Sequence, residues 1–235
     1  WGGNEAGQCG FGHTRAVLRP ERVNGGWLPE RVIRCCLGAA HSVIVTDPGF
    51  VWACGANGNG QLGLNHLSNR QKPQKLATFG KTSSLAQTKH TVVDAACGST
   101  HTVFLCDNGE VMSCGSNAMG QLGTGDFEPR RRPVKVKKFS GHRETLQIRA
   151  VHAGNGFSAC ISEAGAVYAC GKATVVGVNI ANNSTTYTLV PLSDGSVDGA
   201  NVNNSVKSLS FSAGDGHCVC YAEQQCSAVS APSSY

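Results

Sequence analysis

The sequence predicts an all-β protein assembled from repeated four-stranded units, and three observations carry that expectation. The composition is rich in glycine and poor in charge, with 30 Gly among 235 residues and 15% Asp, Glu, Lys and Arg, and its apolar residues fall in short runs between Gly, Asn, Asp and Ser clusters. The stretch "CGANGNGQLG", Cys54 to Gly63, returns as "CGSNAMGQLG", Cys114 to Gly123. Two glycine series keep step along the chain: Gly2, Gly55, Gly115 and Gly171 at intervals of 53, 60 and 56 residues, and Gly38, Gly98, Gly154 and Gly214 at 60, 56 and 60.

Each element of the unit follows from its local chemistry. After the second glycine series come "GAAHSVIVTDPGFVWACG", "GSTHTVFLCDNGEVMSCG" and "GNGFSACISEAGAVYACG", each a polar turn, an apolar strand, a tight reversal and a second strand. Asp-Pro-Gly and Asp-Asn-Gly supply the fixed and the positive φ that such reversals need. Eighteen residues beyond each first-series glycine stands Pro20, Pro73 or Pro133, with Pro191 twenty residues beyond the last. "PERV", "PQKL" and "PVKV" then read as a further strand at whose start proline is tolerated. A unit of about four short strands cannot bury both faces of its sheet alone, so it must stack on its neighbours, which is the logic of a propeller blade.

The third copy departs from this plan. After "ACG" it reads "KATVVG", lacks Gln-Leu-Gly and enters an Asn- and Ser-rich stretch over 179–205, expected as a polar surface insertion. The last hairpin shows "EQQ" where its equivalents have Asp-Pro-Gly or Asp-Asn-Gly, and 227–235 reads as a flexible tail. Residues 1–226 thus comprise the second half of one repeat, three junctions and the first half of another, about four blades' worth. A first residue Trp1, with neither initiator Met nor signal peptide, implies a segment of a longer polypeptide.

"HSVIVTDPGFVWACGANGNGQLGL" and "HTVFLCDNGEVMSCGSNAMGQLGTGD" resemble the repeat of the regulator of chromosome condensation family, the RCC1-like β-propellers. The resemblance extends from "WGGNEAGQCG" to "GDGHCVCYAE" and implies an arc of a larger, seven-bladed ring, the remainder coming from the same polypeptide. It also implies protein partners, a small GTPase among them. The light-sensing branch of that family relies on Gly-Trp-Arg-His-Thr motifs, which Trp1, Trp27 and Trp52 do not form.

The repeated glycines lead toward a proline and another strand rather than into a helix N-terminus, and no Gly-Lys-Ser or Gly-Lys-Thr follows them, so they read as structural turns rather than a phosphate cradle. Gly55, Asn57, Gly60, Leu62 and Gly63, with their counterparts Gly115, Asn117, Gly120, Leu122 and Gly123, are therefore assigned structural roles, the leucines as core plugs. His41, His101 and His217 stand three residues after a marker glycine, with Phe157 at the fourth position. Repeat-equivalent residues lie one blade apart and do not converge on a metal, so these His are expected to hydrogen-bond backbone at a strand start. Twelve cysteines recur at repeat positions and read as reduced, buried small hydrophobes, which points to an intracellular, reducing compartment. No cofactor or metal is called for, and no nucleophile, base and orienting group can be assembled from spacing.

The sharpest charge feature is "RRRPVKVKK", containing Arg130, Arg131, Arg132, Lys135, Lys137 and Lys138. Arg70, Lys72 and Lys75 occupy the equivalent region one repeat earlier, so the two sets would fall on one side of the ring as a basic interaction surface for an acidic partner. The competing reading is a solvated strand edge, with Val134 and Val136 inward and the lysines outward. Nucleic acid gains no support, because no aromatic residues interleave with the cations. No run of eighteen apolar residues exists to span a membrane. The function expected is a non-catalytic protein-interaction scaffold, with guanine nucleotide exchange on a Ran-type small GTPase as the alternative.

Overall fold

A computed structural model of the chain describes residues 1–23, 30–80, 90–136, 139, 146–172, 183–190, 206–213 and 218–224. Strands β1 (Val32–Leu37), β2 (His41–Thr46), β3 (Phe50–Gly55) and β4 (Arg70–Lys75) form one antiparallel sheet. Strands β5 (Val92–Cys97), β6 (His101–Cys106), β7 (Val111–Gly115) and β8 (Arg130–Lys135) form the second, and β9 (Ile148–Ala153), β10 (Phe157–Ser162), β11 (Val167–Gly171) and β12 (Ser184–Leu189) the third. A pair, β13 (Val206–Ala213) and β14 (Cys218–Gln224), follows. Ahead of the first sheet, Gly2 bridges Val17 just as Gly55 pairs with Arg70 and Gly115 with Arg130, so residues 1–23 carry the loop of a preceding blade. The all-β propeller arc expected from the repeats is what forms.

Successive sheets approach one another through their first two strands, β5 packing on β1 and β2, and β9 on β5 and β6. The fourth strands therefore lie on the perimeter. Because β6 sits between two neighbours, strand alternation sends its two rows of side chains into different cores. Phe104 and Cys106 join Val43, Val45, Val51 and Leu62 between the first and second blades, whereas Val103 and Leu105 join Val151, Cys160 and Tyr187 between the second and third. All six β6 residues are buried as a result. Each such Val, Leu or Phe contributes about 1.5–3 kcal/mol on leaving water, so the stacking of blades, not the isolated sheet, supplies the stability.

The expected surface insertion over 179–205 needs correction in its middle. Ser184–Leu189 is the outer strand of the third blade, and Tyr187 on it is fully buried. The reason is positional: Tyr187 stands three residues after Ser184, which pairs with Gly171, just as Pro73 and Pro133 stand three after Arg70 and Arg130. Its ring lies against Gly123 where the prolines lie against Gly10 and Gly63. Tyr187, not Pro191, is the equivalent, and Pro191 falls outside the described residues, as do His217, Lys137, Lys138 and the tail 227–235.

The "GQLG" loop lies on the outer strand of the next blade. Gly60 has φ 82° there, and a Cβ on it would stand 2.8 Å from Arg131 Cα. A Gly60→Ala variant meets backbone as well as an unfavourable φ, so it is expected to lose about 2 kcal/mol or more of unfolding free energy in urea titration. Ala at Gly58, which has open space around it, should change little.

Candidate functional site

The recurrent polar residues hold the loops and join the blades. Asn57, fully buried, accepts the Leu62 N–H on Oδ1 at 3.0 Å and donates through Nδ2 to the carbonyls of His66 (2.8 Å) and Ser68 (3.2 Å). Asn117 does the same for Leu122 N–H (3.0 Å) and Asp126 O (2.8 Å), and Asn4 for Cys9 N–H (2.9 Å) and His13 O (2.9 Å). The Gln61 side chain accepts from Asn59 N–H at 3.0 Å, leaving its backbone carbonyl turned toward the next blade. Leu62 and Leu122 are fully buried beneath these loops. The amides thus close a loop whose interior would otherwise leave polar backbone unpaired.

Between blades, one hydroxyl does two jobs. Thr102 Oγ1 donates to the Gln61 carbonyl (2.7 Å) and lies 3.0 Å from His41 Nε2. Ser158 Oγ donates to the Gln121 carbonyl (2.7 Å) and lies 2.8 Å from His101 Nε2. With its single proton given to the carbonyl, each hydroxyl can only accept from the imidazole, so His41 and His101 carry their proton on Nε2. Each of these two His thus meets a side chain on the following blade, and His101 also has the backbone hydrogen bond expected of it, with Phe157. Glycine three residues earlier makes room, since a Cβ on Gly38 or Gly98 would stand 2.3 or 2.2 Å from the imidazole Cε1. Burial lowers the His41 pKa to about 4, and burial, aided by the nearby His41, lowers His101 to about 3.

The cysteines take up the same seam. Cys54, Cys114 and Cys170 point their thiols at the Gln8, Gln61 and Gln121 carbonyls at 3.5, 3.6 and 3.5 Å. Burial raises the Cys54 and Cys160 pKa values to about 12 and that of Cys114 higher still, so these are protonated packing groups. The first strands β1, β5 and β9 wall a cleft of about 530 Å³ that brings Cys36, Asp94, Cys97 and His152 together. Cys36 Sγ there donates to Ala95 O at 2.7 Å and Arg34 pairs with Asp94 at 3.1 Å. Among the described residues no group of three or more His, Cys, Asp or Glu is arranged to hold a metal ion. No helix of the described residues is long and apolar enough to cross a membrane.

The basic residues sit on the perimeter strands. In β4 Pro73 is buried, while Lys72 and Lys75 are exposed and Arg70 is half-buried. In β8 Pro133 is buried, Arg131, Arg132 and Lys135 are exposed, and Arg130 is half-buried. The inward residues are therefore Pro133 and, just past the strand, Val136, with Val134 only half-buried; a register irregularity between Ser113 and Gly115 displaces strict alternation. Proline and cations on an outer strand guard it against edge-to-edge pairing. Several of the cations are engaged: Arg130 with Asp126 at 2.8 Å, Lys135 with Glu110, and Lys75 with Glu30 at 3.8 Å and over the Phe50 ring. Arg131, Arg132 and Lys72 have no carboxylate partner among the described residues.

Sequence reasoning took Asp126 as a turn residue but did not connect it with His13 and His66, each nine beyond a loop Asn. Burial alone would raise the Asp126 carboxyl, but donors at Glu128 N–H, Thr124 and Arg130 outweigh it and hold the group below its ordinary value. In the preceding loop His66 takes that place, with Arg70 NH2 2.7 Å from its Nε2. The signal was present as a fixed offset from Asn, hidden because the residue type changes.

A family profile described as the regulator of chromosome condensation (RCC1) repeat matches residues 48–105 and 108–161, and a second RCC1 repeat profile matches 92–121. Residues 48–161 of the chain thus carry RCC1 repeats, as the resemblance of the sequence implied. It is 38% identical over 131 residues to a secretion-regulating guanine nucleotide exchange factor of Bos taurus, covering 56% of this chain and 26% of that one. It is 31% identical over 176 residues to the X-linked retinitis pigmentosa GTPase regulator homolog of Caenorhabditis elegans, covering 73% and 12%. The chain thus spans about a quarter or less of these curated relatives. Among solved structures it resembles yeast RCC1 (Prp20) bound to Kap60, with TM-score 0.64, 21% identity and coverage of 84% and 43%. Human WBSCR16 gives TM-score 0.63, 22% identity and coverage of 89% and 50%. The likeness to both is one of fold.

Two outcomes follow for the inter-blade seam. Thr102→Val keeps the shape but strands a buried imidazole N–H and leaves the Gln61 carbonyl only the weaker Cys114 thiol, and is expected to lose about 1–3 kcal/mol in chemical denaturation. His41 and His101 stay neutral when folded, whereas in the unfolded chain they bind protons near the ordinary 6.5. The unfolded state therefore gains more protons on acidification, and stability should be full above pH 6.5 and decline as pH falls toward about 4 and then 3. Urea midpoints across that range, compared with a His41→Gln variant of shallower slope, check it.

Proposed function

We propose that this RCC1 repeat chain is a protein-interaction scaffold with no chemistry of its own. The observation that carries the reading is how the reactive side chains are disposed. The recurrent His, Cys, Asn and Gln are turned into the seams and loops of the repeat, where their pKa values and hydrogen bonds suit packing. By contrast Lys72, Arg131 and Arg132 are exposed on the rim of consecutive blades and lack a carboxylate partner among the described residues. Cations so placed steer an acidic protein surface toward a rigid platform. Lys137 and Lys138 extend the same charged run in the sequence. Thiols that pack as small apolar groups support an intracellular, reducing compartment for the chain.

A second reading, guanine nucleotide exchange on a Ran-type small GTPase, is favoured by the similarity to a secretion-regulating guanine nucleotide exchange factor. Exchange requires that the nucleotide-free GTPase be bound most tightly, since that is the state an exchange factor stabilises. The two readings part in one assay, release of a fluorescent GDP analogue from a Ran-type GTPase with the intact parent protein at catalytic concentration. The scaffold reading expects release at the spontaneous rate and partner binding that is indifferent to nucleotide. Accelerated release, with preference for the empty GTPase, would replace it by the exchange reading.

A further inference from the structure

The turn from Asn65 to Arg70 differs from its repeat mate in one electrostatic respect. In the second blade, the Arg130 guanidinium meets the Asp126 carboxylate at 2.8 Å. In the first, the equivalent Arg70 donates only to neutral oxygens, Gln74 Oε1 at 2.6 Å and Asn69 O at 3.1 Å, and lies 2.7 Å from Nε2 of His66, whose Nδ1 already accepts the Ser68 N–H. Arg70 therefore keeps a full charge with no carboxylate among the described residues. The same turn is laid along the next blade, because Asn65 N–H donates to Arg131 O at 2.8 Å and Asn65 takes φ 62° to do so. Arg131, exposed, thus borders the turn on one side and Arg70 on the other. Within the same turn, between Asn65 and Arg70 in the chain, Leu67 is 41% exposed.

Resting on the scaffold reading, we propose that this turn binds an acidic peptide segment of a protein partner, its carboxylates on Arg70 and Arg131 and an apolar residue on Leu67. Guanidinium groups take carboxylates in bidentate, charge-assisted pairs, and the exposed Leu67 of the same turn asks for an aliphatic side chain beside the Glu or Asp. A phosphodiester backbone offers nothing to Leu67, and no exposed aromatic ring lies in the turn for a base to stack on. The natural pair in the second blade shows what satisfies the site from within. His66→Asp would give Arg70 the carboxylate that Arg130 already has, in a loop whose Asn57 and Ser68 N–H donors match those that hold Asp126.

The test is an anisotropy titration of the full chain with a fluorescein-labelled peptide of Glu-Leu-Glu triplets, against a Gln-Leu-Gln counterpart and a labelled single-stranded DNA. His66→Asp and Arg131→Ala are each expected to weaken the Glu peptide roughly tenfold, the loss of one charge-assisted contact. His66→Asn, which exchanges one neutral group for another, should bind as the wild type does. The proposal is overturned by no measurable Glu-peptide binding, by equal affinity for the Gln peptide, by His66→Asp binding unchanged, or by His66→Asn losing as much as His66→Asp. DNA bound more tightly through the same residues overturns it as well. The scaffold reading stands or falls separately, on nucleotide release, which this turn does not enter.

Discussion

The structure depends on one hydroxyl per blade, placed on the second strand, that couples a blade to its predecessor. Thr102 and Ser158 each give their proton to a glutamine carbonyl of the preceding loop and receive one from the preceding blade's histidine. Ser42 makes the first of these contacts with Gln8 O at 2.8 Å. Burying these groups is costly unless all are paired, so the arrangement specifies a single register between neighbouring sheets. The glycine that precedes each histidine, the Asn that ties the loop and the Leu beneath it are all consequences of setting that carbonyl at the right place.

A seam built in this way leaves the fourth strand outside it. Strands β4 and β8 need protection along an open edge, and buried proline with outward cations provides it. On the scaffold reading proposed above, the same charges are the feature that would meet a partner. Edge protection and partner binding are compatible because the first uses the backbone direction of the strand and the second uses the tips of the side chains. On that reading, stability and recognition draw on different residues.

Much of the fold was legible in the residues. The hairpin turns, the two glycine series and the Leu plugs follow from local φ demands and from strand alternation, and these are short-range properties. Less was legible at the third blade, where Tyr187 fills the place of a proline. No local rule relates an aromatic ring to proline; only the space above Gly123 does. The hydroxyl partners of the histidines were missed for a related reason, since a residue 61 positions away along the chain contributes the hydroxyl.

By itself the sequence determined the all-β class, the four-stranded repeat, the cationic strand that follows each glycine loop and the structural nature of those loops, because each is written in neighbouring residues. Tertiary structure alone decided which cations remain without a carboxylate. Arg70 and Arg130 are equivalent in the sequence, yet one faces His66 and the other Asp126, and a guanidinium differs as a binding group according to whether its counter-charge is already within reach. It also decided that a hydroxyl, an imidazole and a carbonyl from two blades meet at one point. Such convergence depends on how the sheets stack, a long-range property that no stretch of chain carries alone.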